Sequence, residues 1–206
     1  MSVAGVIVIL VAAAALPAVG RAAPPGAGSP PAASRGPAAT TRPLQSAALL
    51  DLLRAPHPTD IDRRRLDRIG PDIPALLVEH ATNARLDSQP RLRALGWLQY
   101  YPTPRSHAVL LEVLNARAAD TPTVRVAVRA FAIAFPTGAL DTVRPFLAHR
   151  DAFVREAAAF AVGDLDDARA RAVLEDHLPR EAEIFVRDAG IVALRRIGER
   201  DAARAR

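Results

Sequence analysis

The sequence predicts an all-α fold, a right-handed α-solenoid of about four to five short helix pairs, on three observations. The first is a repeat. Pro90-Arg91-Leu92-Arg93-Ala94-Leu95, Pro122-Thr123-Val124-Arg125-Val126-Ala127, Ala152-Phe153-Val154-Arg155-Glu156-Ala157 and Ile184-Phe185-Val186-Arg187-Asp188-Ala189 share one pattern: an apolar residue, an arginine, then an alanine-rich stretch. Arg93, Arg125, Arg155 and Arg187 recur at intervals of 32, 30 and 32, the period range of stacked units that bury apolar faces only against their neighbours. The second is punctuation: Tyr101-Pro102-Thr103-Pro104, Phe135-Pro136-Thr137-Gly138 and Gly163-Asp164-Leu165-Asp166-Asp167 sit at matching places in successive units. Pro and Gly there end a first helix, and Thr or Asp can cap a second. The third is that no stretch alternates apolar and polar residues with period two, so no strand is expected.

Each element follows in order. Leu44 to Leu53 carries leucines at helical spacing and ends near Pro58. Asp60 to Ile69 starts with acids, continues with arginines and stops at Gly70, a good match to the helix dipole. Asp72 to Thr82 places Ile73, Leu76, Leu77 and His80 on one side. Three clear pairs come next, 89–100 with 104–116, 121–134 with 138–149, and 152–162 with 167–178, and a final helix over about 183–198 stops at Gly198. The alanines of the first helices allow close packing, while Trp97, Phe131, Phe153, Phe160 and Phe185 are expected to fill wider gaps.

The stretch from Phe153 through Gly163 and Asp164 to Ala170 resembles the short HEAT-like repeat of the phycobilisome-lyase type: an acid, Val-Arg, an Ala-rich helix, Gly, Leu, Asp and a second helix leading to Leu. Asp151 through Leu178 match it closely, Thr123 to Leu147 and Ile184 to Gly198 in part, and residues 60–118 loosely. The resemblance implies a solenoid in which the repeated arginines are structural. From the residues themselves, each arginine is expected to pair with an acid or carbonyl at the helix start or in the next unit; Asp151 lies four before Arg155 and Glu183 four before Arg187, a workable acid-to-base spacing. Repeats of this kind serve many unrelated roles, so the likeness does not transfer lyase chemistry.

Residues 1–22 read as a signal peptide or N-terminal anchor: Val3 to Val19 is uncharged and apolar, with small residues at Ala18, Gly20 and Ala22 for cleavage. No arginine precedes that run, which keeps an uncleaved anchor open. Residues 23–43, rich in Ala and Pro, read as a disordered linker, 44–199 as the repeat domain and 200–206 as a C-terminal tail. The expected location is outside the cytoplasm, periplasmic or extracellular in a bacterium or held at the membrane by the N-terminus. The lack of cysteine fits an oxidising compartment.

The formal charge is +5, carried by arginine alone, with no lysine in the chain. Arg21, Arg35 and Arg42 precede the first acid, so the repeats are nearly neutral, which argues against a nucleic-acid partner. Glu79-His80 and Glu175-Asp176-His177 lack the spacing of a zinc helix, and the aspartates at 164, 166 and 167 lack the Gly and Glu of a calcium loop. Ser106 and His107 are sequence neighbours on a helix and point apart. These observations predict no metal, no cofactor and no catalytic residue. The expected role is a scaffold that binds a protein or peptide on a concave face lined by the second helices, through His107, Leu111, Glu112, Arg144, Arg171, Glu175 and Asp176. Two alternatives stay open: an enzyme, lyase-like or metal-dependent, built on the solenoid, and a membrane-tethered assembly factor.

Overall fold

The computed structural model describes residues 38–56 and 63–206, and among them are ten α-helices and no strand. They are α1 (Ala38–Arg54), α2 (Arg63–Asp67), α3 (Ile73–Thr82), α4 (Ser88–Trp97), α5 (Pro104–Asn115), α6 (Thr121–Ala134), α7 (Leu140–Val143), α8 (Ala152–Asp164), α9 (Ala170–His177) and α10 (Ile184–Arg204). Three short 3-10 turns, Leu98–Tyr100, Arg144–Ala148 and Leu178–Arg180, extend α4, α7 and α9. Pro145 and Pro179 sit in the last two, where a missing N–H is tolerated only near a helix start, so both second elements break into a tighter turn.

The first helices, α4, α6, α8 and α10, pack on one another in chain order, and the second elements pack behind them. Caps set the starts of the units. Thr103 Oγ1 accepts from Ser106 N at 3.1 Å to open α5, Asp120 accepts from Thr123 N at 2.8 Å to open α6, and Asp151 accepts from Phe153 N at 2.9 Å to open α8. The interior is one continuous apolar cluster running from Leu49 and Leu53 in α1 to Ala193 and Ile197 in α10, with Trp97 inside it. Tyr101, also buried, donates to Asp67 at 2.7 Å and so ties α2 to the unit that follows; burial and this bond raise its phenol pKa.

The first helices approach closely because their facing residues are small. Ala158, Ala159, Ala161 and Gly163 are all buried. A Cβ added at Gly163 would lie 2.5 Å from Ala193 Cβ and 2.8 Å from Ala193 Cα, so α8 and α10 meet there almost backbone to backbone. The second elements make no comparable contact with one another. The first helices and the second elements thus form two layers of different spacing.

Two boundaries and one core position also differ from the sequence expectation. Helix α1 starts at Ala38, so residues 38–43 of the expected linker are helical. Arg42 pairs with Glu79 and lies 3.6 Å from Asp72, and Gln45 Oε1 accepts from Asp72 N at 3.0 Å, which holds this end of α1 to α3 in spite of Pro43. The rest of that linker and the expected signal peptide or anchor lie outside the described residues, as does the start of the helix expected at Asp60. Helix α10 does not stop at Gly198 but runs to Arg204, absorbing most of the expected tail. Arg196, Arg200 and Arg204, one turn apart, reach back to Asp164 at 3.1 Å, to the carbonyls of Gly163 and Leu165 at 2.6 and 2.9 Å, and to Asp166 at 2.8 Å. Finally, Phe153 is not a gap filler: it is 54% exposed, with Phe185 beside it at 5.4 Å.

The α8–α10 approach gives a prediction of definite sign. Gly163→Ala improves helix propensity by about 1 kcal/mol, but the new methyl meets the backbone of α10 rather than a flexible tip. Overpacking wins, and thermal unfolding should show a net loss of about 1–2 kcal/mol; an unchanged or raised Tm would mean the two helices separate freely.

Candidate functional site

The layer of first helices carries a groove of about 500 Å³ between α4, α6 and α8. Its floor is Gly96, Val126, Ala130 and Ala157, and Ile133 and Phe160 stand on its walls. Ile133 is 42% exposed, which is unusual for isoleucine in the middle of a packed helix layer. Two guanidiniums one turn apart on α6 frame the opening. Arg125 lies 5.3 Å over the Phe153 ring and donates to Glu156 at 3.2 Å; Arg129 lies 5.4 Å over the Phe160 ring, 3.9 Å from Asp164. Arg196 covers Phe160 as well, at 5.7 Å. Such cation–ring contacts contribute about 0.5–1 kcal/mol each at exposed sites and hold the aromatic walls upright. The Nε atoms of Arg125 and Arg129 are buried without a hydrogen-bond partner.

A smaller groove, about 370 Å³, lies on the other layer between the Arg144–Ala148 turn and α9. Arg144, Arg169, Asp176, His177 and Arg180 line it. Arg169 is held by Asp167 at 2.9 Å and by Asp141 at 3.3 Å, and Arg180 pairs with Asp176.

The residues predicted from sequence do not form one site. Arg144 and Asp176 do meet in the smaller groove. Arg171 bridges to Asp201 at 3.1 Å with Glu175 at 4.0 Å, so that pair joins α9 to α10. His107 packs edge-on to Phe135 at 4.8 Å and beside Phe131 at 5.3 Å, and Leu111 packs against the core. Glu112 is exposed on α5, away from the others. The groove on the first helices was missed because its apolar members read as core positions. Ile133 was the available signal, since it stands on the exposed side of an otherwise alanine-lined helix end.

The four ladder arginines bond within the fold, to carbonyls at a loop or helix end or to an acid of the next unit, and not to the acids four residues before them. Arg155 and Arg187 make the same contact: each donates to the carbonyls six and five residues before it, His149 and Arg150 in one case, Glu181 and Ala182 in the other. Arg93 donates to the carbonyls of Leu53, Ala55 and Pro56 at the end of α1. Arg125 turns instead to Glu156 of the next unit. Arg155 takes Glu181, not Asp151, in a two-pronged bond at 2.7 and 2.8 Å. Asp151 is occupied as a cap and accepts from Thr121 Oγ1 at 2.6 Å, which lowers its pKa. Glu183 likewise is not the partner of Arg187.

A family model described as HEAT repeats matches residues 107–195, from within α5 to within α10. No curated protein matches the chain significantly.

Inside that span the most deeply buried charge is Glu181, whose side chain is 2% exposed. The bonds from Arg155, aided by the Glu183 N–H at 3.0 Å and the nearby His177, push its carboxyl down to about 2 from an ordinary 4.5. Because the folded pKa is the lower one, this stabilisation is complete above pH 4.5 and is lost as pH falls from there toward 2. Glu181→Gln should therefore cost about 3 kcal/mol at neutral pH and flatten that acid limb in urea titrations at graded pH. An equal acid slope in the variant would place the stabilising charge elsewhere.

Proposed function

We propose that this chain, a HEAT-like repeat protein, is an exported scaffold that binds a protein partner and performs no reaction of its own. HEAT repeats generally mediate protein–protein interaction, and the groove on the first helices suits that role here. The observation that carries the proposal is the apolar wall of exposed Ile133 and partly buried Phe160 above an alanine floor, framed by Arg125 and Arg129. An apolar centre with a guanidinium rim is the composition of a binding patch, with aromatic and Arg anchors enriched and lysine absent.

Other chemistry fits the groove less well. Its titratable lining residues are Arg125, Arg129 and Glu156, and Arg125 holds Glu156, so no base stands beside a nucleophile. Export is supported by the apolar run from Val3 to Val19 and the small residues after it. N-terminal sequencing of the protein recovered outside the cytoplasm tests that part: a start just after Gly20 or Ala22 fits cleavage, and an intact Met1 fits the anchor.

The face is tested by comparative capture. With the wild-type chain as reference, Ile133→Asp should reduce recovery of its specific partner at least about tenfold with helicity unchanged, because a carboxylate would enter an apolar contact. The double reversal Arg144→Glu with Glu175→Arg should leave recovery intact. The opposite pattern would return the binding face to the second helices.

A further inference from the structure

The outward face of α10 breaks the rule for a surface helix. Its buried residues, Val186, Ala189, Gly190, Ala193 and Ile197, lie against α8 and α9. At about 100° per residue the opposite side is a stripe within about 60° of arc, made by Ile184, Asp188, Ile191 and Arg195. That stripe should be polar throughout. Instead Ile184 is 67% and Ile191 52% exposed. Asp188 and Arg195 are exposed too, and neither has an ion-pair partner among the described residues, although Arg187, Arg196, Arg200 and Arg204 on the same helix all bond inward.

The order Ile184, Asp188, Ile191, Arg195 repeats after seven residues, with isoleucine at one heptad position and a charge at the next. The two charges are opposite and flank Ile191. A stripe of this kind complements itself when turned around. If two copies meet antiparallel about a two-fold axis beside Ile191, Asp188 of each faces Arg195 of the other, and the Ile191 side chains meet at the axis. A parallel pairing sets Asp188 level with Asp188 and Arg195 level with Arg195, which repels.

We propose that α10 is a self-association surface and that its occupant is a second copy of this chain, docked antiparallel with reciprocal Asp188–Arg195 pairs. This is the reciprocity an isologous two-fold interface requires. Phe153 of α8, exposed and tilted against Phe185 at the start of α10, extends the apolar area at the edge. One helix face buries less than the roughly 1,200 Å² of a stable interface, so the dimer is a micromolar one.

The test is sedimentation velocity of the full chain across micromolar concentrations, with circular dichroism on every variant. Asp188→Arg alone places two cations on the stripe and Arg195→Asp alone places two anions, and each should weaken self-association at least about tenfold. Mixing the two variants should restore a dimer, now a heterodimer, because every cation again faces an anion. The double swap within one chain should also restore it. A wild-type chain that stays monomeric overturns the proposal. Association that ignores both single changes overturns it too, as an apolar N-terminus acting alone would produce. Single variants that dissociate but fail to pair on mixing overturn the antiparallel register. None of these outcomes depends on the groove between α4, α6 and α8, so partner capture there and pairing here can fail separately.

Discussion

The near contact of backbone between α8 and α10 at Gly163 and Ala193 sets the terms for much else in the stack. A seam of alanine and glycine lets first helices lie close, but it offers little side-chain area to grip with. The grip comes from longer side chains at the margins of the seam. Arg129 and Arg196 reach one aspartate, Asp164, from the two sides of α8, and Arg200 takes carbonyls that α8 leaves free at its end. Close spacing on one side also forces divergence on the other. The second elements, broken by prolines into short turns, stay apart and are joined by surface bridges such as Arg169 to Asp141.

Arginine suits this arrangement for a reason that lysine could not meet. The Arg155 guanidinium donates to both oxygens of Glu181 and to two main-chain carbonyls at once. A planar fork can satisfy a buried carboxylate and a loop end together, where an ammonium would act as a single point of charge. The arginine recurs because each unit has the same need, a loop end to be satisfied before the next first helix begins. Arg125 shows the limit of the repeat: it leaves that task and bridges forward to Glu156.

Much of the fold was legible because it is periodic. The three clear pairs fell within a few residues of their observed ends, and α6 matched at both, since Asp120 and Pro122 mark its start and Pro136 follows its end. What failed were features set by distant partners. Nothing local extends α10 past Gly198; three arginines do so only when Asp164, Asp166 and two carbonyls lie opposite. Arg155 chose Glu181 over Asp151 because a cap had already claimed Asp151, which helix spacing alone does not reveal. The candidate site was the least legible part. Register equivalence identified outward positions but not which of them come together, because that depends on how successive units pack.

The same bonding pattern bears on the positive charge of the chain. A guanidinium bound to a carboxylate and a carbonyl has few donors left for a phosphate, and in the repeats most arginines on the seam are so bound. Net charge therefore says little about what the surface can recognise, because recognition falls to groups without internal partners. At the groove on the first helices Arg125 and Arg129 are spent in the same way, each lying over an aromatic ring and beside a carboxylate of α8, so what the groove presents outward is apolar, Ile133 above all.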